Sequence, residues 1–194
     1  MKVNTKSKKV NKAWLHDHIN DPYVKQAQKE GYRARAAYKL KEIDETLGLI
    51  KPGHLVVDLG STPGAWSQYV RRKLSPAGAA VGALNGTIIA LDLLPMDPIE
   101  GVHFLLGDFS DSAVVERLEQ AMQSRQADVV VSDMAPNLPG SAAVDTARIA
   151  HLIGLGKECR QNNVKPDGTR VDKVFQGSGY NEMLALFKED FRTV

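Results

Sequence analysis

Residues His54 to Gln68 read HLVVDLGSTPGAWSQ, and this stretch decides the fold. An apolar run ends in an acid, Asp58, then breaks at Gly60-Ser61-Thr62-Pro63-Gly64 and resumes as a helical pattern from Trp66. That is the order of first strand, tight turn and first helix in a nucleotide-binding α/β sheet. Gly60 and Gly64 leave no Cβ between the backbone and a ligand. A dinucleotide loop would carry a further glycine, and it would offer free N–H groups to a diphosphate. Pro63 removes one such donor. The loop therefore suits a ligand without a diphosphate, such as S-adenosylmethionine, and counts against an NAD-dependent enzyme.

Working outward, apolar runs alternate with helical patterns. Strands are expected at Leu55 to Leu59, Thr87 to Leu91, His103 to Leu106, Asp128 to Ser132 and Thr169 to Phe175. Pro166-Asp167-Gly168 reads as a turn before the last of these. Between them, helices are expected over Trp66 to Lys73, Ser112 to Ala127 and Asp145 to Cys159, with a closing helix over Tyr180 to Phe191. In the Ser112 helix, Val114, Val115, Leu118 and Met122 share one face. Upstream, Asp21-Pro22 is a helix-start signal for Val24 to Glu30, and Leu40, Ile43 and Leu47 recur at helical spacing. Strands alternating with helices imply a mainly parallel sheet.

With 194 residues and 43 % hydrophobic composition, one domain with a sizeable core is expected. No apolar run reaches the roughly 18–20 residues of a membrane span. The single cysteine, Cys159, cannot close an internal disulfide, which points to a reducing, cytoplasmic setting. The net charge of +2 hides an asymmetry. Residues 1–41 hold nine Lys and two Arg against three acids, a balance of +8, and the remainder balances to −6. A basic arm over residues 1–34, ahead of a domain over 35–194, reads as an attachment surface for a polyanion. Within Tyr32 to Leu40, rings alternate with Arg33, Arg35 and Lys39, which suits RNA: rings stack on bases and cations meet phosphates.

Four strands end in an acid: Asp58, Asp92, Asp108 and Asp133. Ligands of open parallel sheets lie outside these carboxyl ends. Asp92, after the second strand, is placed for ribose hydroxyls. Asp108 could accept from an adenine amine, with the neighbouring apolar Phe109 helping to cover the ring. Asp133 would lie deepest, near a sulfonium. The same carboxylates could hold Mg²⁺, but no Asp-x-Asp pair or histidine accompanies them, and His16-x-His18 sits in the arm. No metal site is expected. Lys173, beside Val174 and Phe175, is costly in a strand unless its amine serves a site. A desolvated lysine can act as a base. Asp172 and Arg170 are equally unexpected there.

Together these residues resemble the FtsJ (RrmJ, RlmE) family of ribosomal-RNA 2′-O-methyltransferases. The matching segments include SKKVNKAWLHDHINDPYVKQAQKEGYRARAAYKLKEID, VVDLGSTPGAWSQY, IIALDLLPMDPIEGVHFLLGDF, DVVVSDMAPNLPG and KVFQGSGYNEML. The resemblance implies a Rossmann-like methyltransferase fold, S-adenosylmethionine as cofactor, and a ribose 2′-hydroxyl of a uridine in large-subunit ribosomal RNA as acceptor, within a ribosomal particle. It places cofactor contacts on Gly64, Trp66, Asp92, Asp108 and Asp133, and catalytic roles on Lys39, Asp133 and Lys173. The family's glutamate on a last strand has no counterpart, and Glu182 and Glu189 lie in a different context. Two family strands beyond Val194 are missing from the sequence, so an exposed sheet edge and marginal stability are expected. A cofactor- and RNA-binding module with impaired catalysis is the alternative; the complete protein is expected to be monomeric.

Overall fold

The computed structural model describes residues 21–134, 163–174 and 180–194. The element order is α1 (Pro22–Glu30), α2 (Ala36–Leu47), β1 (Leu55–Leu59), α3 (Ala65–Leu74), β2 (Thr87–Asp92), β3 (Val102–Leu106), α4 (Ser112–Met122), β4 (Ala127–Ser132), β5 (Val164–Asp172) and α5 (Tyr180–Asp190). The strands form one sheet in the order β3-β2-β1-β4-β5, every pair parallel. The chain leaves β1 toward β2 and β3 on one side and fills β4 and β5 on the other. The strand order therefore reverses at β1, and a crevice opens there at the carboxyl ends.

Strand periodicity divides β1 between two cores. Val56 faces the layer of α1, α2 and α3, packing with Leu40, Trp66, Tyr69, Val70, Ile88, Val129 and Val131. Leu55, Val57 and Leu59 face α4, with Ile89, Leu91, Val130, Val114, Leu118 and Met122. The α4 face expected from the sequence is thus the face that is buried. Of the α2 triad, Leu40 is buried, Ile43 partly so, and Leu47 is exposed.

The described part of the expected arm, residues 21–34, packs into this same core through Ala27 and Tyr32. Asp21 caps α1 by accepting from the backbone N–H of Tyr23 and Val24. At the far end of α2, buried Asp44 accepts from Ile50 N (2.7 Å) and Tyr69 Oη (2.7 Å) and pairs with Lys73 Nζ at 3.0 Å. Burial alone would raise its pKa, but these donors outweigh burial and hold it below the ordinary carboxylate value.

Two elements differ from the sequence expectation by more than two residues. The helix from Ser112 stops at Met122, because Gln123 (φ 54) and Ser124 (φ 61) turn left-handed; Ala127 already belongs to β4. The fifth strand runs from Val164 to Asp172, with Pro166-Asp167-Gly168 inside it. An irregularity absorbs the extra residues: Ala127 pairs with Val164, and Val129 next pairs with Thr169. A proline is tolerated because β5 pairs on one side only in the described sheet. Lys173 stands just beyond the strand rather than within it. Arg170 and Asp172 answer each other in a two-point pair of 2.5 and 2.7 Å, with the guanidinium 5.8 Å from the Phe187 ring centre. The readings on Met1 to Lys12, His16, His18, the Asp145 to Cys159 helix, Phe175 and the Ala135-Pro136-Asn137 segment lie outside the described residues.

Candidate active site at the carboxyl ends of the strands

The loop after β1 is spliced onto the end of β2. The N–H groups of Gly60 and Ser61 both donate to Leu91 O, at 2.9 and 3.2 Å. Thr62 N donates to one Asp92 oxygen and Leu94 N to the other, each at 2.8 Å. Asp92 is thereby fixed in direction, and each oxygen keeps a lone pair for a further donor. Gly60 takes φ 72, and a Cβ there would stand 2.7 Å from Met134 Cγ. Gly64 takes φ 107, and a Cβ would fall 2.8 Å from both Arg33 Nη1 and Ile99 Cδ1. Both glycines are required by the loop's own packing, before any ligand is considered.

Asp133 and Lys173 meet. Asp133 N donates to Leu59 O (3.1 Å) and Lys173 N donates to Ser132 O (2.8 Å), so the sheet ladder continues past the strand ends. It sets the two side chains side by side, and Lys173 Nζ forms an ion pair with the Asp133 carboxylate. Both remain partly exposed, at 28 and 23 %. A cation and an anion at the mouth of the crevice, open to solvent yet fixed by backbone, can hold and exchange a proton with a bound hydroxyl.

Asp58 departs from its expected place. It is the fourth of five residues in β1 and is fully buried, so it lies deeper than Asp133. Its Oδ2 accepts from Ser67 Oγ at 2.6 Å. Burial pushes its pKa up to about 7; the hydrogen bonds from Ser67 oppose this, and the negative charges of Asp133 and Asp92 add to it. Asp108 spends one oxygen on a local turn, accepting from Ser110 N (2.8 Å) and Ser110 Oγ (2.7 Å). Phe109 is buried within the α4-side core. The indole of Trp66 is 4 % exposed, and its N–H donates to Ala36 O at 2.8 Å. What Trp66 offers the loop is its place in the first turn of α3.

Of the cations expected to meet RNA, Arg33 is held by three carbonyls: Pro63 O (3.0 Å), Asp97 O (2.7 Å) and Pro98 O (2.9 Å). Arg35 pairs with Asp21, and Lys39 is exposed on α2. Sequence reasoning missed Leu93 and Leu94, which follow Asp92 and stay 64 and 61 % exposed. Two large apolar side chains left in water beside a fixed carboxylate are a signal that composition alone does not give. Among the described residues, no group of three or more His, Cys, Asp or Glu is placed to hold a metal ion. Nor is any described helix long and apolar enough to cross a membrane.

A parallel sheet reversing at β1, a glycine-bearing loop, and carboxylates at or just past the ends of β2, β3 and β4 define a Rossmann-like fold of the methyltransferase type. The chain belongs to the FtsJ-like methyltransferase family, whose pattern matches residues 32–194. It is 71 % identical to the ribosomal RNA large subunit methyltransferase E of Paracidovorax citrulli, covering 100 % of this chain and 89 % of that protein. With the protein of the same description from an Acidovorax species, identity is 70 %, covering 100 % of this chain and 88 % of the other. A crystal structure of a Plasmodium falciparum ribosomal RNA methyltransferase superposes with a TM-score of 0.72 at 27 % identity, over 81 % of this chain and 86 % of that one.

Proposed function

We propose that this enzyme transfers the methyl group of S-adenosylmethionine to the 2′-hydroxyl of a uridine ribose in large-subunit ribosomal RNA, presented within a ribosomal particle in the cytoplasm. The enzyme acts as a monomer. The observation that carries this reading is the Lys173–Asp133 pair at the crevice mouth. The relatives, ribosomal RNA large subunit methyltransferases by name, support ribosomal RNA as the substrate class.

The residues present fit the cofactor. Asp92, fixed by Thr62 and Leu94, is an acceptor matched to a ribose diol, and Leu93 and Leu94 offer apolar surface to a base. Asp108 would receive an exocyclic amine, and Gly60 and Gly64 keep the loop backbone close. Asp92, Asp108 and Asp133 set carboxylates around the carboxyl ends of the strands, which favours a sulfonium. When bound, the cofactor supplies an electrophilic methyl carbon.

Lys173 directs the substrate hydroxyl toward that carbon, and Asp133 fixes the direction of the amine. The Lys173–Asp133 pair takes up the hydroxyl proton as the new O–C bond forms and the C–S bond breaks, a general-base contribution of about 10²–10⁴-fold. Lys39, exposed on α2, orients the ribose or an adjoining phosphate. Alignment of hydroxyl, carbon and leaving sulfur supplies much of the rest.

The test is transfer of a radiolabelled methyl from S-adenosylmethionine to ribosomal particles prepared without this modification. Wild type should label the RNA, and Lys173→Ala should not, while both bind the cofactor equally in calorimetry. Undiminished labelling by Lys173→Ala would remove the amine from the chemistry. Cofactor binding by wild type with no labelling at all would favour a binding module instead.

A further inference from the structure

The sequence offers Tyr32 and Tyr38 as rings for RNA bases, yet both are buried, at 8 and 5 % exposure. Among the described residues of this region, the exposed ring is Tyr23, at 50 %. It ends a chain of ring contacts. Arg72 of α3 lies 4.3 Å over the Tyr32 ring. Tyr32 meets Tyr38 edge-on at 5.8 Å, and Tyr38 meets Tyr23 at 5.7 Å. The backbone of Tyr23 is fixed as well, since its N–H donates to the Asp21 cap at 2.8 Å. The same Asp21 carboxylate pairs with Arg35, whose side chain remains 55 % exposed.

This ring therefore belongs to a fixed platform with Arg35 beside it, joined through Asp21, in a basic stretch of the chain. Lys25 and Lys29 are exposed on α1, and Lys39 on α2. Residues 21–41 hold six Lys and Arg against two acids, a local balance of +4. The segment that carries the platform is also tied to the cofactor loop. Ala36, which opens α2, accepts from Trp66 in the first turn of α3. Arg33, between α1 and α2, grips the cofactor loop through Pro63 O. A half-exposed, pre-positioned ring among cations matches single-stranded nucleic acid, where stacking tolerates any base and costs little ordering entropy.

We propose, resting on the function given above, that Tyr23 is a base-stacking residue: it holds an unpaired nucleobase of the substrate RNA beside the crevice, with Arg35 and Lys39 on the flanking phosphates. The contact selects single-stranded over duplex RNA, because a paired and stacked base cannot offer its face.

The experiment compares wild type, Tyr23→Phe and Tyr23→Ala in the full chain, with each variant's melting curve recorded. The probes are a fluorescein-labelled oligouridylate read by anisotropy, and an RNA carrying 2-aminopurine, whose emission falls on stacking. Tyr23→Phe should match wild type in both. Tyr23→Ala should bind roughly 10-fold more weakly, in line with loss of one base–ring stack, and should lose the quenching while cofactor affinity stays the same. Unchanged RNA affinity and quenching in Tyr23→Ala overturn the proposal, as they would if the ring served a protein partner. Equal losses in Phe and Ala variants also overturn it, since a hydroxyl contact would then be responsible. Wild type that binds no RNA defeats the functional reading itself, an outcome distinct from a wild type that binds and a Tyr23→Ala that binds equally well.

Discussion

Replacing Asp58 with asparagine should make the protein more stable as the pH rises, relative to wild type. The carboxyl is fully buried, with Oδ2 accepting from Ser67 Oγ at 2.6 Å; Oδ1 has no hydrogen-bond partner among the described residues. Its pKa moves from an ordinary 3.8 to about 7 in the folded chain, by burial first, with Asp133 and Asp92 adding to it. A folded-state pKa above the unfolded one means that the group's contribution is intact below the unfolded value. It is lost as pH rises, and the loss levels off above about 7. At roughly 1.4 kcal/mol per pH unit, the full loss is about 4 kcal/mol. Between pH 5.5 and 8.5 the part that still changes is about 2 kcal/mol, because most of the titration of the unfolded form lies below that window.

Asparagine keeps the shape and the acceptor for Ser67 but never ionises. Any fixed cost of its amide in an unpartnered position is the same at both pH values and cancels. Urea unfolding of both proteins at pH 5.5 and 8.5, followed by circular dichroism, measures the gap directly. The stability difference, variant minus wild type, should grow by about 2 kcal/mol toward the higher pH. A difference that is constant, or that shrinks, would refute a buried, neutralisable carboxyl at this position.

Gly64→Ala places a Cβ 2.8 Å from Arg33 Nη1 and Ile99 Cδ1 at φ 107. It should cost about 1–3 kcal/mol in denaturant melts and weaken cofactor binding in calorimetry; unaltered binding would show that the loop does not form the site. Asp92→Ala removes the acceptor for Thr62 N and Leu94 N and should weaken the cofactor by about 1.5–3 kcal/mol, with RNA affinity unchanged by anisotropy. Arg33→Ala should lower the melting temperature, because three carbonyls lose their donor. Arg35→Ala should leave the melt nearly unchanged and weaken RNA binding more at low than at high salt. The reverse assignment would return Arg33 to the RNA surface.

The fold was legible because Leu55 to Leu59 and Asp128 to Ser132 stand out as short apolar runs and the α4 face repeats at helical spacing. The boundaries that failed are those where local conformation overrides pattern. Nothing in Gln123-Ser124 announces left-handed backbone, and Pro166-Asp167-Gly168 falls where the β4–β5 register shifts, inside a strand that already begins at Val164. At the site, carboxylates were found by their position at strand ends, and Lys173 by its cost in an apolar setting. Which atoms are already spoken for could not be read. Arg33 looks like an RNA contact until its three carbonyl partners are seen, and Trp66 looks like a ligand contact until its indole is found under Ala36. Residue type tells what a group can do, whereas burial and partners decide whether it is available. The Tyr23 ring is the converse case, since only three-dimensional packing separates it from its two buried neighbours.

Asp133 and Lys173 hang from main-chain bonds to Leu59 O and Ser132 O, extensions of the same ladder that joins β1, β4 and β5. Their separation is consequently indifferent to which apolar residues fill the strands, provided the register holds. Repacking the interior with other branched side chains should leave turnover intact, while a one-residue slip of β5 would carry the amine to the opposite face of the sheet and end it. In such an architecture the alignment of neighbouring strands is inherited as strictly as the reactive groups, and drift in the core is free.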